Sequence, residues 1–260
     1  MDEFATIQCE LAGPVARVTL NRPEARNALG AQMIGELLRC FTALAGPEGD
    51  AVRVVVLGAA GRAFCAGGDM RDLGDATQQT AGAKFDELLR AINAAPQVVI
   101  GRIQGPAMGG GIGLVCVTDI AIAAQSAAFA LPEVRLGLAP ALILPYVLQR
   151  IGLSETRRLM LTGSRLTPAE ARERGLIAQT CADAELDTVV DGVVQEVLQC
   201  APQALRACKQ LLFALLNARD TQSTLALREE TLNRLRTSDE AAQGISAFLS
   251  KQPAPWSPKS

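Results

Sequence analysis

The stretch that decides the fold is Val98-Val99-Ile100-Gly101-Arg102-Ile103, which runs through Gln104-Gly105-Pro106-Ala107-Met108 into Gly109-Gly110-Gly111-Ile112-Gly113 and on to residues 114–123. Its opening is almost continuous in apolar and β-branched residues, the pattern of a strand covered on both faces. The glycines mark a turn, residues 109–117 suit a short helix, and residues 119–123 form a second β run. Strand, glycine-rich turn, helix and strand in that order make the unit of an α/β fold with parallel crossovers.

Working outward, residues 52–57 repeat the valine-rich pattern, and residues 85–92 between the two runs have helical spacing. Further upstream, Met33, Ile34, Leu37, Leu38, Phe41 and Leu44 recur at the steps of one apolar helix face, which Gly46-Pro47 ends. Two short β runs, residues 6–11 and 15–20, flank Gly13-Pro14 and predict an opening hairpin. From Ser154 the texture is helical, with expected caps at Ser154 and at Thr167, the latter followed by Pro168 and Glu170. Apolar helical spacing continues through residues 186–198, 204–216 and 225–235. No flexible linker interrupts the chain before the proline-rich residues 253–258. The expected organisation is an α/β core over residues 1–195 and a helical subdomain over residues 196–260.

Composition narrows the chemistry. The chain has 260 residues, 49% of them apolar, and 25 Lys and Arg against 27 Asp and Glu, so it has no broad basic field to hold a nucleic acid. There is no histidine, which removes Ser–His–Asp and Cys–His nucleophile schemes and every metal site that needs imidazole; no metal is expected. Proton transfer falls to carboxylates, Tyr146, lysines or cysteines. Cys9, Cys40, Cys65, Cys116, Cys181, Cys200 and Cys208 are scattered and odd in number, with no C-x-x-C pair, which fits neither a disulfide framework nor a zinc knuckle. With no basic-then-apolar start and no uninterrupted apolar span, the expectation is a cytoplasmic protein without a membrane segment.

Two glycine-rich loops follow strands, Gly58-Ala59-Ala60-Gly61-Arg62-Ala63-Phe64-Cys65-Ala66-Gly67-Gly68-Asp69 and Gly105 to Gly113. Ligands of α/β folds collect at the carboxyl ends of strands, where small residues let a substrate approach main-chain N–H groups, so the pair of loops could set two donors around one oxygen. The same glycines would also serve tight turns or close helix–strand packing. Neither loop has the G-x-G-x-x-G register of a dinucleotide fold or the Lys-Ser/Thr ending of a P-loop. Among the carboxylates Glu133 stands out, because an alternating strand through Phe129-Ala130-Leu131-Pro132-Glu133 would set it beside apolar side chains. Burial would raise its pKa and suit it to proton transfer near neutral pH; an ion pair with Arg135 at a rim is the alternative.

The segments Asn21-Arg22-Pro23-Glu24-Ala25-Arg26-Asn27-Ala28-Leu29, Ala63-Phe64-Cys65-Ala66-Gly67-Gly68-Asp69-Met70, residues 105–119 and residues 129–137 together resemble the ordered signature of the enoyl-CoA hydratase/isomerase (crotonase) superfamily. The likeness runs over nearly the whole chain. It implies a crotonase-like ββα spiral core with a C-terminal helical trimerisation subdomain. The substrate it implies is an acyl-CoA thioester, with coenzyme A present only as part of that substrate and no permanently bound cofactor. The matching oxyanion-hole positions are the N–H groups of Gly68 and Gly110. Ala66, Gly67, Gly68, Asp69, Met70 and Arg71 would line the CoA entrance and Arg26 would lie near its phosphates. Phe248 and Lys251 match a segment that reaches a neighbouring subunit's CoA, although Lys251 also reads as a solvated charge at a helix end. A homotrimer or a hexamer of two trimers is the implied assembly.

Hydratases of this family generally use two glutamates. One matches Glu133; the other falls on Gly113. The space vacated at Gly113 would admit a branched Cβ or a longer acyl chain. One reading is a double-bond isomerase that moves a proton between Cα and Cγ with the single carboxylate. Another is a hydratase for branched, carboxylated 2-enoyl-CoA, since Gly113-Leu114-Val115 and residues 136–152, with Pro140-Ala141-Leu142-Ile143-Leu144-Pro145-Tyr146-Val147 at their centre, resemble the bacterial methylglutaconyl-CoA and isohexenylglutaconyl-CoA hydratase branch. That branch likeness favours the hydratase. A third reading is a family member that binds acyl-CoA without turning it over; Glu133 and both glycine loops argue against it.

Overall fold

The computed structural model describes residues 4–69, 79–218 and 220–258, with side chains from residue 82 onward in the second stretch. The contacts divide the chain into two compact units, Met1–Asp191 and Gly192–Ser260, where the sequence reading drew the boundary after residue 195.

The first unit opens with the expected hairpin, β1 (Ile7–Ala12) and β2 (Val15–Leu20), antiparallel with Ala12 opposite Val15. The two-residue turn needs a positive φ at its first position, and Gly13 supplies it at +57°. The helix α1 (Ala31–Ala45) buries the predicted face, Met33, Ile34, Leu37, Phe41 and Leu44, and leads by a short turn to β3 (Val54–Ala59), buried throughout. Then come α2 (Gln79–Asn93), packed on α1, and β4 (Val98–Ile103), the strand read from the opening stretch. The glycine turn carries β5 (Ala107–Met108) and α3 (Gly110–Cys116), after which β6 (Ile120–Ala124) returns to the sheet.

Beyond β6 lie β7 (Phe129–Ala130), α4 (Leu144–Thr162), β8 (Arg165–Leu166), α5 (Pro168–Glu173) and β9 (Gln179–Cys181). Among the described residues the main sheet has the order β1-β2-β3-β4-β6-β9, parallel from β2 onward, and a small sheet joins β5, β7 and β8. The parallel strands require crossovers; α1, α2 and α3 provide those up to β6, and the segment with α4 and α5 provides the one from β6 to β9. The small sheet turns the glycine loop back beside the segment that follows β7, and this brings distant parts of the chain to one place.

Two local expectations change. Glu133 does not continue a strand: β7 ends at Ala130, and after Pro132 the chain forms a 3-10 turn over Glu133–Leu136, closed by Gly137 at φ +72°. Proline has no N–H for a ladder, so the alternating pattern through residue 133 is not followed by the backbone. Ser154 does not cap a helix start, because α4 begins at Leu144 and its break lies at Gly152, whose φ of +72° only glycine adopts freely. Thr167 does cap α5: its hydroxyl accepts from the Glu170 N–H at 3.3 Å while the Glu170 carboxylate accepts from the Thr167 N–H at 2.8 Å.

The helix α6 (Leu186–Leu198) runs across the boundary between the units. The second unit continues with α7 (Pro202–Asn217), α8 (Leu225–Arg236) and α9 (Asp239–Leu249), each packed on the next. Trp256 closes it, donating its indole N–H to the Gln199 carbonyl at 3.0 Å and lying where a side chain at Gly244 would be.

Candidate active site

The first glycine loop leaves β3 and is held from both sides. Asn27, fully buried, donates its side-chain amide to the carbonyls of Ala60 at 2.8 Å and Ala63 at 2.9 Å, and accepts from the Arg22 N–H at 2.8 Å. The Ala66 N–H donates to the Arg26 carbonyl at 3.0 Å. Next, the Leu29 N–H donates to Gly67 and the Asp69 N–H to Leu29, at 2.8 and 3.1 Å. A parallel bridge of this kind uses the amides on either side of the bridged residue, so the Gly68 N–H points away from Leu29. On the opposite edge Cys65 pairs with Ala107, with the Met108 N–H donating to the Cys65 carbonyl at 2.9 Å.

These contacts press the two glycine loops together. A Cβ built on Gly67, at φ +97°, would meet the Met108 carbonyl at 3.0 Å and the Gly110 nitrogen at 3.6 Å. One built on Gly111 would meet the Cys65 carbonyl at 2.6 Å. The Gly109 N–H donates to Ala130 at 3.0 Å, and the Gly109 carbonyl accepts from Ile112 and Gly113. Gly110 is the first residue of α3 and its N–H has no partner within the helix. Among the described residues neither the Gly68 nor the Gly110 N–H donates to a protein acceptor.

Glu133 comes to the same place from its 3-10 turn. A Cβ on Gly109 would lie 2.8 Å from Glu133 Oε1 and 3.9 Å from Oε2, so the carboxylate sits against the glycine turn. Oε2 is buried without a hydrogen-bond partner among the described residues. Burial raises the Glu133 pKa above the ordinary carboxylate range, only partly opposed by a hydrogen bond to its own backbone. The rim ion pair with Arg135 is not formed: Arg135 turns to donate to the Thr162 carbonyl at 3.3 Å and packs on Gly163.

Gly113 departs from expectation. A Cβ there would collide with Cγ2 of Ile143 and lie 3.6 Å from Cδ2 of Leu89, and both of those side chains are buried. The volume beside Gly113 is therefore filled with hydrocarbon rather than vacated. Leu29 and Phe85 stand in the same relation to Gly110, at 3.0 and 3.4 Å from the position of a Cβ.

Of the other expected site residues, Ala66, Gly67 and Gly68 lie on the loop just described, and Asp69 is paired with Arg22 at 3.2 Å. Arg26 is exposed and holds a left-handed backbone that serves the loop through its carbonyl. Met70 and Arg71 lie outside the described residues. Phe248, 82% exposed, and Lys251 belong to the second unit. Sequence reasoning left Asn27, Phe85, Leu89 and Ile143 without a site role; the left-handed backbone of Asn27 is of a kind asparagine favours, but nothing local marks its partners. Cys65 lies beneath the turn as an inert thiol, pushed up to about 12 by burial. Among the described residues no cluster of His, Cys, Asp and Glu could hold a metal ion, and no helix is long and apolar enough to cross a membrane.

Comparison with known proteins agrees with this architecture. The family model described as Enoyl-CoA hydratase/isomerase matches residues 10–259. Enoyl-CoA hydratase ACTT6 of Alternaria alternata is 34% identical over 240 residues, 91% of this chain and 78% of that protein. Among solved structures, Pseudomonas aeruginosa AtuE superposes with a TM-score of 0.92 at 37% identity, covering 98% of this chain and 100% of its own. An enoyl-CoA hydratase/isomerase from Marinobacter aquaeolei gives 0.91 at 35% identity, covering 96% of this chain and 98% of its own.

Proposed function

This chain belongs to the enoyl-CoA hydratase/isomerase family and has the crotonase fold, and from that premise we propose that it adds water to, and removes it from, a 2-enoyl-CoA thioester. The observation that carries the reading is the half-buried Glu133 carboxylate, with Oε2 buried and unpartnered among the described residues, lying against the turn that presents the Gly110 N–H. In this reading the thioester oxygen accepts from the Gly68 and Gly110 N–H groups. Proton transfer at Cα puts negative charge on that oxygen, and each preorganised donor contributes ~10²–10³ in rate. Glu133 exchanges the Cα proton, a contribution of ~10²–10⁴ for a positioned base. CoA itself would run out past Ala66, Gly67 and Asp69, with Arg26 toward its phosphates.

For the acyl group we propose a branched, carboxylated chain of the methylglutaconyl type. The support is the likeness of Gly113 and residues 136–152 to that hydratase branch, and not spare room at Gly113. A second reading, a shift of the double bond between the 3,4 and 2,3 positions, is favoured by the same lone carboxylate, since it needs no water. Incubation with 2-enoyl- and 3-enoyl-CoA in heavy-oxygen water separates the two: label in a 3-hydroxyacyl product supports hydration, and a moved double bond without label supports isomerisation. Loss of neither substrate while CoA ester still binds would overturn both.

A further inference from the structure

Hydration across a 2-enoyl thioester moves protons at two carbons: water loses one as its oxygen bonds to Cβ, and Cα gains one. Two acids could divide the task, but position 113 has no room for the second. The Ile143 and Leu89 side chains that crowd it are 3% and 0% exposed, so neither solvent nor an acid fills that wall. Among the described residues, other titratable groups on the packed elements are engaged elsewhere or, like Arg62, Lys84 and Glu87, exposed. On the turn of Glu133 itself, Arg135 donates to Thr162; on the first loop, Asp69 pairs with Arg22 and Cys65 stays protonated. On α2, Asp86 pairs with Arg90 at 2.9 Å. The phenol of Tyr146 on α4 is held protonated by burial and by Asp86.

We infer that Glu133 serves both carbons in turn. Its carboxylate takes a proton from water as the water oxygen bonds to Cβ, and the electron pair of the double bond moves onto the thioester oxygen. The carboxylic acid so formed gives that proton to Cα, restoring the carbonyl and the carboxylate. Water ends as a hydroxyl on Cβ and a hydrogen on Cα, with no other reactant consumed; dehydration is the reverse. A carboxylate with one oxygen beside Gly109 and the other unpartnered has the two acceptor atoms this requires. The inference rests on the hydratase reading above.

The test is kcat/KM for hydration of a 2-enoyl-CoA by the full chain, measured from about pH 5 to pH 10. One group acting first as base gives a single limb, falling on the acid side and flat toward alkaline pH. Glu133→Gln is expected to lose ~10²–10⁴ in hydration and dehydration alike. Tyr146→Phe is expected to leave the profile unchanged. A second limb on the alkaline side, or its disappearance in Tyr146→Phe, would show a second acid and overturn the inference while leaving the hydratase reading intact. Absence of heavy-oxygen label from every 2-enoyl-CoA would overturn both.

Discussion

At the residue scale, Gly113 and Glu133 bear the most. A side chain at 113 must displace Ile143, so Gly113→Ala is expected to cost ~1–3 kcal/mol in chemical denaturation, relieved in combination with Ile143→Ala. Glu133 has the opposite tension: burial raises its native pKa above the unfolded value near 4.5, so the folded state binds the proton more tightly. Its contribution to stability is fully present below the unfolded pKa and is lost as pH rises through the native one. Glu133→Gln is therefore expected to raise the unfolding midpoint at neutral pH while lowering turnover ~10²–10⁴-fold, and to show no such gain at about pH 3. Thermal scans at the two pH values check this. A midpoint unchanged or lowered at pH 7 would mean the carboxylate is well solvated. The glycine turn was legible as a sequence of glycines, but which of them lies against Glu133 was not, because that contact joins segments that only the small sheet brings together.

At the element scale, two polar side chains fasten segments that the sequence reading did not connect. Glu36 of α1, 4% exposed, accepts from the N–H groups of Ala5 and Thr6, the Thr6 hydroxyl and the Gln32 amide, at 3.2, 2.8, 2.6 and 2.9 Å, and so ties the chain before β1 to the helix. Burial raises its pKa, but the hydrogen bonds from Thr6, Gln32 and Ala5 outweigh burial and hold the carboxyl below its ordinary value. The resulting stability is present above the unfolded pKa and is lost as pH falls through the folded one. Glu36→Gln is expected to cost ~1–3 kcal/mol at neutral pH, with the difference from the parent shrinking in acid, as read by denaturation at several pH values. Asn27 does the same for the first glycine loop, and Asn27→Ala, which takes the Asn27 donor from the Ala60 carbonyl and leaves the Ala63 carbonyl only the Gln104 amide, is expected to lower kcat more than it lowers the unfolding midpoint. Strands β2 and β4 and the capping box at Thr167 were readable because each is a pattern over consecutive residues. The 3-10 turn at Glu133 was not, since the alternating residues around Pro132 imitate a strand that the proline interrupts.

At the scale of the whole molecule, the second unit leaves large apolar side chains on its surface: Leu212 and Leu216 on α7, Leu232 on α8, and Ile245, Phe248 and Leu249 on α9, with Phe248 at 82% and Leu249 at 75% exposure. The resemblance implies a trimer or a pair of trimers, and burial of such residues is what an assembly of that kind would achieve. Light scattering at micromolar concentration is expected to give a trimer or hexamer, and Phe248→Asp to shift it toward smaller species; a monomeric parent chain would remove the assembly from consideration.

The sequence by itself determined the class of fold, the order of strand and helix around each glycine turn, and the absence of imidazole chemistry, because these are properties of neighbouring residues and of composition. Only the tertiary structure decided that Glu133 is half-buried, with Oε2 unpartnered among the described residues rather than bridged to Arg135, and that Ile143 fills the space beside Gly113. Both are outcomes of packing between segments far apart along the chain, where the spacing of residues in sequence has no bearing on which atoms meet.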